Sequence, residues 1–186
     1  MTVKKTICAS LMIFLLWMSA FSQGRFRISL GGNYFRPSDE VYKTVYGKSK
    51  FYPEIQGAVR ISRNFYIEAG YGFLSATGTI PESHDHLESR MKFLSVFIGY
   101  MAPLIGKFNV LIELGREYVH YTEKAWGETK SDSSLGFQIR GGCVCPILKN
   151  FFAVLFFGYS NTSDTLDQEF IKLGGLKAGL SLGTRF

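Results

Sequence analysis

From Arg25 to the C-terminus, apolar side chains return at every second residue, in one segment after another. A period of two gives an extended strand one apolar and one polar face, whereas an amphipathic helix would need a period near 3.6. From Arg25 to Phe35, the residues Phe26, Ile28, Leu30, Gly32 and Tyr34 oppose Arg25, Arg27, Ser29, Gly31 and Asn33. Ile55, Gly57, Val59 and Ile61 then oppose Glu54, Gln56, Ala58, Arg60 and Ser62. A third segment sets Phe65, Ile67, Ala69, Tyr71 and Phe73 against Tyr66, Glu68, Gly70 and Gly72, and a fourth sets Leu94, Val96, Ile98 and Tyr100 against Ser95, Phe97 and Gly99. Phe108, Val110, Ile112 and Leu114 lie opposite Asn109, Glu113, Gly115 and Glu117; Leu135, Phe137 and Ile139 lie opposite Gly136, Gln138, Arg140 and Gly142. Phe151 to Asn161 is apolar on both faces, so its phase stays open. In the last segment Leu176, Ala178, Leu180, Leu182 and Phe186 oppose Lys177, Gly179, Ser181, Gly183 and Arg185.

The N-terminus does not share this pattern. Lys4 and Lys5 precede an apolar stretch from Ile7 to Met18, and Ala20-Phe21-Ser22 carries small residues where a signal peptidase reads them. Residues 1–22 are therefore expected to be a cleaved signal peptide and 23–186 the mature domain, whose formal charge falls from +6 to +4. Past the signal no apolar run approaches the roughly 20 residues of a membrane-spanning helix. Basic residues are scattered among acids, which argues against nucleic acid as a partner. Cys143 and Cys145 are two apart on one strand face, where Cβ atoms stand roughly 7 Å from each other. A disulfide needs about 3.5–4.5 Å, so both are read as small apolar side chains.

Eight such strands could close in either of two senses. A soluble barrel buries its apolar face; a membrane barrel turns that face to lipid and encloses the polar one. The polar faces here are rich in Gly, Ser, Asn and Gln with single charges, unlike the Lys/Glu coat of a water-facing surface. Aromatic rings stand near strand ends, at Tyr34, Phe65, Phe73, Tyr100, Phe108, Phe151 and Phe186, as interface girdles require. Connections alternate between short (Ser62 to Asn64, Ala102 to Lys107, Pro146 to Asn150) and long and polar (37–52, 77–90, 121–133, 162–172). Short periplasmic turns and long outer loops produce that alternation. Open sheet edges are not tolerated in lipid, so the strands must close. The expected fold is all-β: an eight-stranded antiparallel up-and-down transmembrane β-barrel.

The final residues, Gly179-Leu180-Ser181-Leu182-Gly183-Thr184-Arg185-Phe186, resemble the C-terminal strand by which the barrel assembly machinery recognises its substrates, with Thr184 where an aromatic is common. Together with the strand pattern over residues 24–186, the chain resembles the small eight-stranded outer-membrane barrels, of the kind formed by the membrane domain of OmpA. That resemblance implies residence in the bacterial outer membrane among its lipids and lipopolysaccharide, assembly through Phe186, and a structural or surface-interaction role with an extracellular ligand left open. No cofactor or metal site is expected.

The enclosed ionisable residues would be Arg60, Glu68, Glu113, Arg140, Lys177 and Arg185. Eight strands leave an interior just filled by side chains, so these are expected to form a plug of ion pairs rather than a narrow pore. With the turn at Ala102 to Lys107, Lys92 would fall opposite Arg116 on the lipid-facing side near the outer rim, where two cations could hold lipopolysaccharide phosphates. Loop 37–52 mixes Tyr42, Tyr46, Phe51 and Tyr52 with Lys43, Lys48 and Lys50, the most binding-like composition among the loops. Gly158-Tyr159-Ser160-Asn161 resembles the His-x-Ser-Asn motif of lipid A deacylases, with Ser160 at the nucleophile but Gly158 at the catalytic histidine. His120 and Glu169 would have to complete such a set, so no enzyme is expected.

Overall fold

The computed structural model describes residues 25–80, 85–125, 128–166 and 169–186. The proposed signal peptide lies outside them. In chain order the elements are β1 (Phe26–Pro37), α1 (Glu40–Tyr46), β2 (Lys50–Arg60), β3 (Phe65–Thr79), β4 (His86–Pro103), β5 (Asn109–Ala125), β6 (Glu128–Pro146), β7 (Phe151–Asn161), β8 (Ser163–Leu166), β9 (Glu169–Lys172) and β10 (Gly175–Arg185). Eight of the strands form a closed antiparallel barrel in the order β1-β10-β7-β6-β5-β4-β3-β2. β1 closes it, pairing Leu30 with Leu182 on one side and with Ile55 on the other. β8 and β9 form a separate hairpin in the last long connection.

The faces are sorted as in a membrane barrel. Leu30 is 64% exposed and Leu114 61%, while Phe97 and Val119 on the inner face are at 0%. An apolar belt of that extent could not remain in contact with water. Rings mark both rims: Tyr34 packs edge-on against Phe51 at 5.3 Å near the long-loop end, and Phe65 against Tyr100 at 5.1 Å near the short-turn end. β7, whose phase the sequence leaves open, sends Phe152, Val154, Phe156 and Ser160 inward and Leu155 and Phe157 outward.

Two connections differ from the sequence reading. Most of 77–90 and 121–133 is strand, because β4, β5 and β6 run for 18, 17 and 19 residues where a bilayer needs about 9–11. These extensions are polar on both faces and so read as loops. Their ladder continues nonetheless, with opposite charges facing each other in the pairs Glu88–Lys124 and Glu123–Lys130.

Loop 37–52 also differs. Asp39 caps α1, its Oδ1 accepting from Tyr42 N at 2.9 Å, and Gly47 ends the helix in a left-handed conformation at φ 96°. α1 lies over the long-loop mouth, where Tyr46 is buried with Ala76 and Leu87 and Tyr42 packs against them. Tyr52 points into the barrel beside Phe35 and Phe93. Of the four aromatics in this loop only Phe51 is left exposed, so the ring-and-lysine composition mostly builds a lid.

Candidate functional site

The interior is layered. Toward the short turns, Leu111, Val144, Phe152 and Val154 form an apolar floor. Toward the long loops, Phe35, Tyr52, Leu74, Met91, Phe93, Val119, Tyr121 and Leu173 form a second apolar layer beneath α1. Between them lies a charged network centred on Arg140, which is 2% exposed.

The ladder places Arg140 between Glu113 on β5 and Gly158 on β7. Its Nε donates to Glu113 Oε2 at 2.7 Å, Nη2 donates to Glu68 Oε1 at 2.5 Å, and Nη1 lies 3.9 Å from Glu54 Oε2. These bonds are charge-assisted and fork-shaped, a geometry that guanidinium provides and ammonium does not. The guanidinium also sits 3.8 Å from the Phe97 ring centroid and 4.9 Å from that of Phe156.

The remaining lone pairs are used as well. Tyr66 Oη donates to Glu113 Oε1 at 2.8 Å, and Gly99 leaves the space its ring occupies. Arg27 approaches Glu68 at 3.5 Å. Asn33 and Gln56 donate to Glu54 at 2.6 and 2.8 Å, and Ser29 donates to Gln56 at 3.0 Å. A second node stands above this one. Lys177 pairs with Glu117 Oε2, and Ser160 Oγ donates to Glu117 Oε1 at 2.5 Å while contacting Thr162 Oγ1 at 3.1 Å. The void beside the Arg27–Glu68 pair is about 10 Å³, roughly the space one water needs.

Of the residues expected in the lumen, Glu68, Glu113 and Arg140 meet one another, and Lys177 meets Glu117 instead. Arg60 and Arg185 do not join them. Each ends its strand, and Arg60 lies two residues beyond Ala58, the register partner of Glu68, which is roughly 7 Å toward the short-turn mouth. Arg27, Glu54 and Glu117 were absent from the expected set although each stands in the inward phase. Phase was the available signal; the pairing depends on how strands from opposite walls face each other.

Lys92 and Arg116 are not partners. Lys92 pairs with His120, and Arg116 with Val96. The expectation centred the β4–β5 turn too early, whereas the tight turn falls at Gly106, in a left-handed conformation at φ 61°. Arg116 remains on the lipid face with its guanidinium 3.8 Å from the Phe137 centroid. Lys92 instead borders an outer hollow of about 170 Å³ with Phe73, Glu88, Arg90, His120 and Lys124.

The deacylase resemblance lacks its geometry. Ser160 faces inward and is fully buried on Glu117, while His120 lies on the outer surface with Nδ1 3.0 Å from Ser133 Oγ. The side chain of Glu169 is outside the described residues. Cys143 and Cys145 are free thiols.

A closed eight-stranded barrel with a lipid-facing belt and a filled, charged interior is a transmembrane β-barrel of the outer-membrane type. Its structural neighbours are proteins of that type. OprG from Pseudomonas aeruginosa superposes with a TM-score of 0.69 at 11% identity, over 88% of this chain and 96% of that one. Neisserial surface protein A gives 0.62 at 13% identity over 86% and 95%. Ail of Yersinia pestis, in its complex with the heparin analogue sucrose octasulfate, gives 0.59 at 18% identity over 88% and 99%. No family model matches the sequence, and no curated protein matches it. The chain thus has the fold of the small outer-membrane barrels.

Proposed function

We propose that this protein is a non-enzymatic, integral outer-membrane barrel with a structural and surface-interaction role, exported by residues 1–22 and assembled through Phe186, and that ion pairs plug its lumen. The observation that carries the plug is Arg140, held by Glu68 and Glu113 with Glu54 close by and only about 10 Å³ of free space beside the network. The apolar layers above and below add two further obstacles to ion passage. Single-channel recording in planar bilayers tests this. The parent is expected to be silent, and Arg140→Ala or Glu113→Ala to open brief, small conductances. A parent that conducts steadily would make the barrel a pore.

A second contact accompanies this role. Arg90, Lys92 and Lys124 stand on the outer surface beside Phe73, with Glu88 between Arg90 and Lys124, so that Lys92 is the cation best placed to meet a lipopolysaccharide phosphate. Arg116 stands lower on the lipid face, stacked on its cross-strand partner Phe137, and is not part of this contact. Binding of lipopolysaccharide is expected to weaken in Arg90→Ala/Lys92→Ala; equal binding in variant and parent would remove this site.

A further inference from the structure

The short-turn mouth of the barrel opens into a cup of about 290 Å³. Its wall carries Arg27, Arg60, Arg63 and Arg185, and Val144 and Phe152 lie at its base. Among the described residues no aspartate or glutamate lines it. Arg27 is partly neutralised by Glu68 at 3.5 Å. Arg185 donates Nε and Nη2 to the Lys149 carbonyl, an uncharged acceptor, at 3.1 and 2.8 Å. Arg60 and Arg63 have no acidic partner among the described residues, and Arg60 lies within electrostatic range of both Arg27 and Arg185.

The contrast with the interior is sharp. Glu54, Glu68, Glu113 and Glu117 are all engaged above the cup by Arg140, Lys177 or side-chain amides. Only Glu68 reaches toward the mouth, through Arg27, and Arg60, Arg63 and Arg185 have no such partner among the described residues. Like charges gathered in a partly enclosed space repel, and an anion from outside would relieve that repulsion. All four are arginines, whose forked donors match phosphate oxygens in pairs. By the measure in which one water needs about 10–15 Å³, the cup has ample room for a phosphate or diphosphate group.

We propose that this cup binds a phosphate or diphosphate group presented from the periplasmic side, either on a soluble molecule or on the headgroup of an inner-leaflet lipid. The orientation follows from the short turns, which face the periplasm in such barrels.

Titration calorimetry of the full mature chain in uncharged maltoside micelles at low salt, with pyrophosphate as probe, tests the site. Saturable binding is expected, weakened about tenfold or more in R60Q/R63Q, as loss of two charge-assisted contacts implies. Both side chains are exposed and make no structural contact, so this variant should fold like the parent. K48Q/K50Q, at the opposite mouth, should bind as the parent does. Doping the micelles with phosphatidylglycerol raises the apparent Kd if a lipid headgroup is the source and leaves it unchanged if the ligand is soluble; both results keep the site. No saturable binding, or equal weakening in R60Q/R63Q and K48Q/K50Q, or none in either, would overturn it.

Discussion

Gly158 and Arg140 are cross-strand partners, and the side chain of the arginine fills the space that any side chain at 158 would need. A Cβ built on Gly158 would stand 2.8 Å from Arg140 Cγ and 2.6 Å from the Ile139 carbonyl oxygen. The residue missing from the hydrolase-like motif is therefore also the one that lets the central arginine lie against the barrel wall.

Gly158→Ala is expected to destabilise the folded barrel by about 1–3 kcal/mol through overpacking, and Gly158→His by more. Chemical unfolding in micelles measures this. Neither variant should gain esterase activity, because Ser160 Oγ is buried and donates its proton to Glu117, away from any substrate. A folded, active Gly158→His protein would show that the pocket is roomier and more reactive than described.

Removing Arg140 leaves Glu68 and Glu113 enclosed without their shared cation. Arg140→Met should cost about 3–5 kcal/mol, as expected when one partner of a buried pair is deleted. Adding Glu68→Gln and Glu113→Gln should recover much of that loss. Equal stability of Arg140→Met and the parent would mean that the network contributes little to the fold.

The Glu117–Lys177 pair allows a second cycle, with Ser160 as the further group on Glu117. Either single replacement, Glu117→Gln or Lys177→Met, is expected to be markedly destabilising, and Glu117→Met/Lys177→Met to be milder than Lys177→Met, its remaining cost being the acceptor that Ser160 loses. A buried ion pair offsets little more than its own desolvation. Ser160→Ala should cost about 1.5–3 kcal/mol through the lost bond to a charged acceptor. If the double variant were worse than both singles, the pair would be a net stabiliser.

Burial, and the Glu123 carboxylate that accepts its hydrogen bond, push the Tyr46 phenol well above its ordinary value of 10.0. Tyr42 is raised as well, mainly by burial. A raised value in the folded state means that the stabilisation is complete below pH 10 and is lost as pH climbs through the higher value. The lid formed by α1 should therefore stay closed through pH 10 and loosen only above it. Phenolate absorbance should show one fewer late-titrating tyrosine in Tyr46→Phe than in the parent. Full ionisation of every tyrosine near pH 10 would contradict a packed lid.

Much of this could be seen in the primary structure, for an identifiable reason. Period-two alternation survives wherever a strand divides lipid from a filled interior, so seven of the eight phases were legible. β7 was not, because Phe152, Val154 and Phe156 serve the interior layers while Leu155 and Phe157 face lipid; both faces are apolar for different reasons. The extensions of β4, β5 and β6 were hidden by polarity, since most of their residues are polar even where the inner face, as at Leu87, packs beneath α1. The pairing of Arg140 with Glu68 was beyond reach. They lie on β6 and β3, not adjacent in the barrel, and only its shear decides which inward groups meet. Lys92 and Arg116 were misaligned by a turn whose centre depends on the single left-handed residue Gly106.

The sense in which the barrel's two faces are turned is the claim on which everything else depends. Single tryptophans at the outward positions Leu114, Ile139 and Leu155, and at the inward positions Leu111, Val144 and Val154, in a Trp126→Phe background, can be read by quenching with brominated lipid in reconstituted vesicles. Strong quenching of the outward set and little of the inward set is expected. Quenching of the inward set with the outward set unaffected, or of neither because the chain stays in the aqueous phase, would contradict a lipid-facing apolar belt around a charged interior.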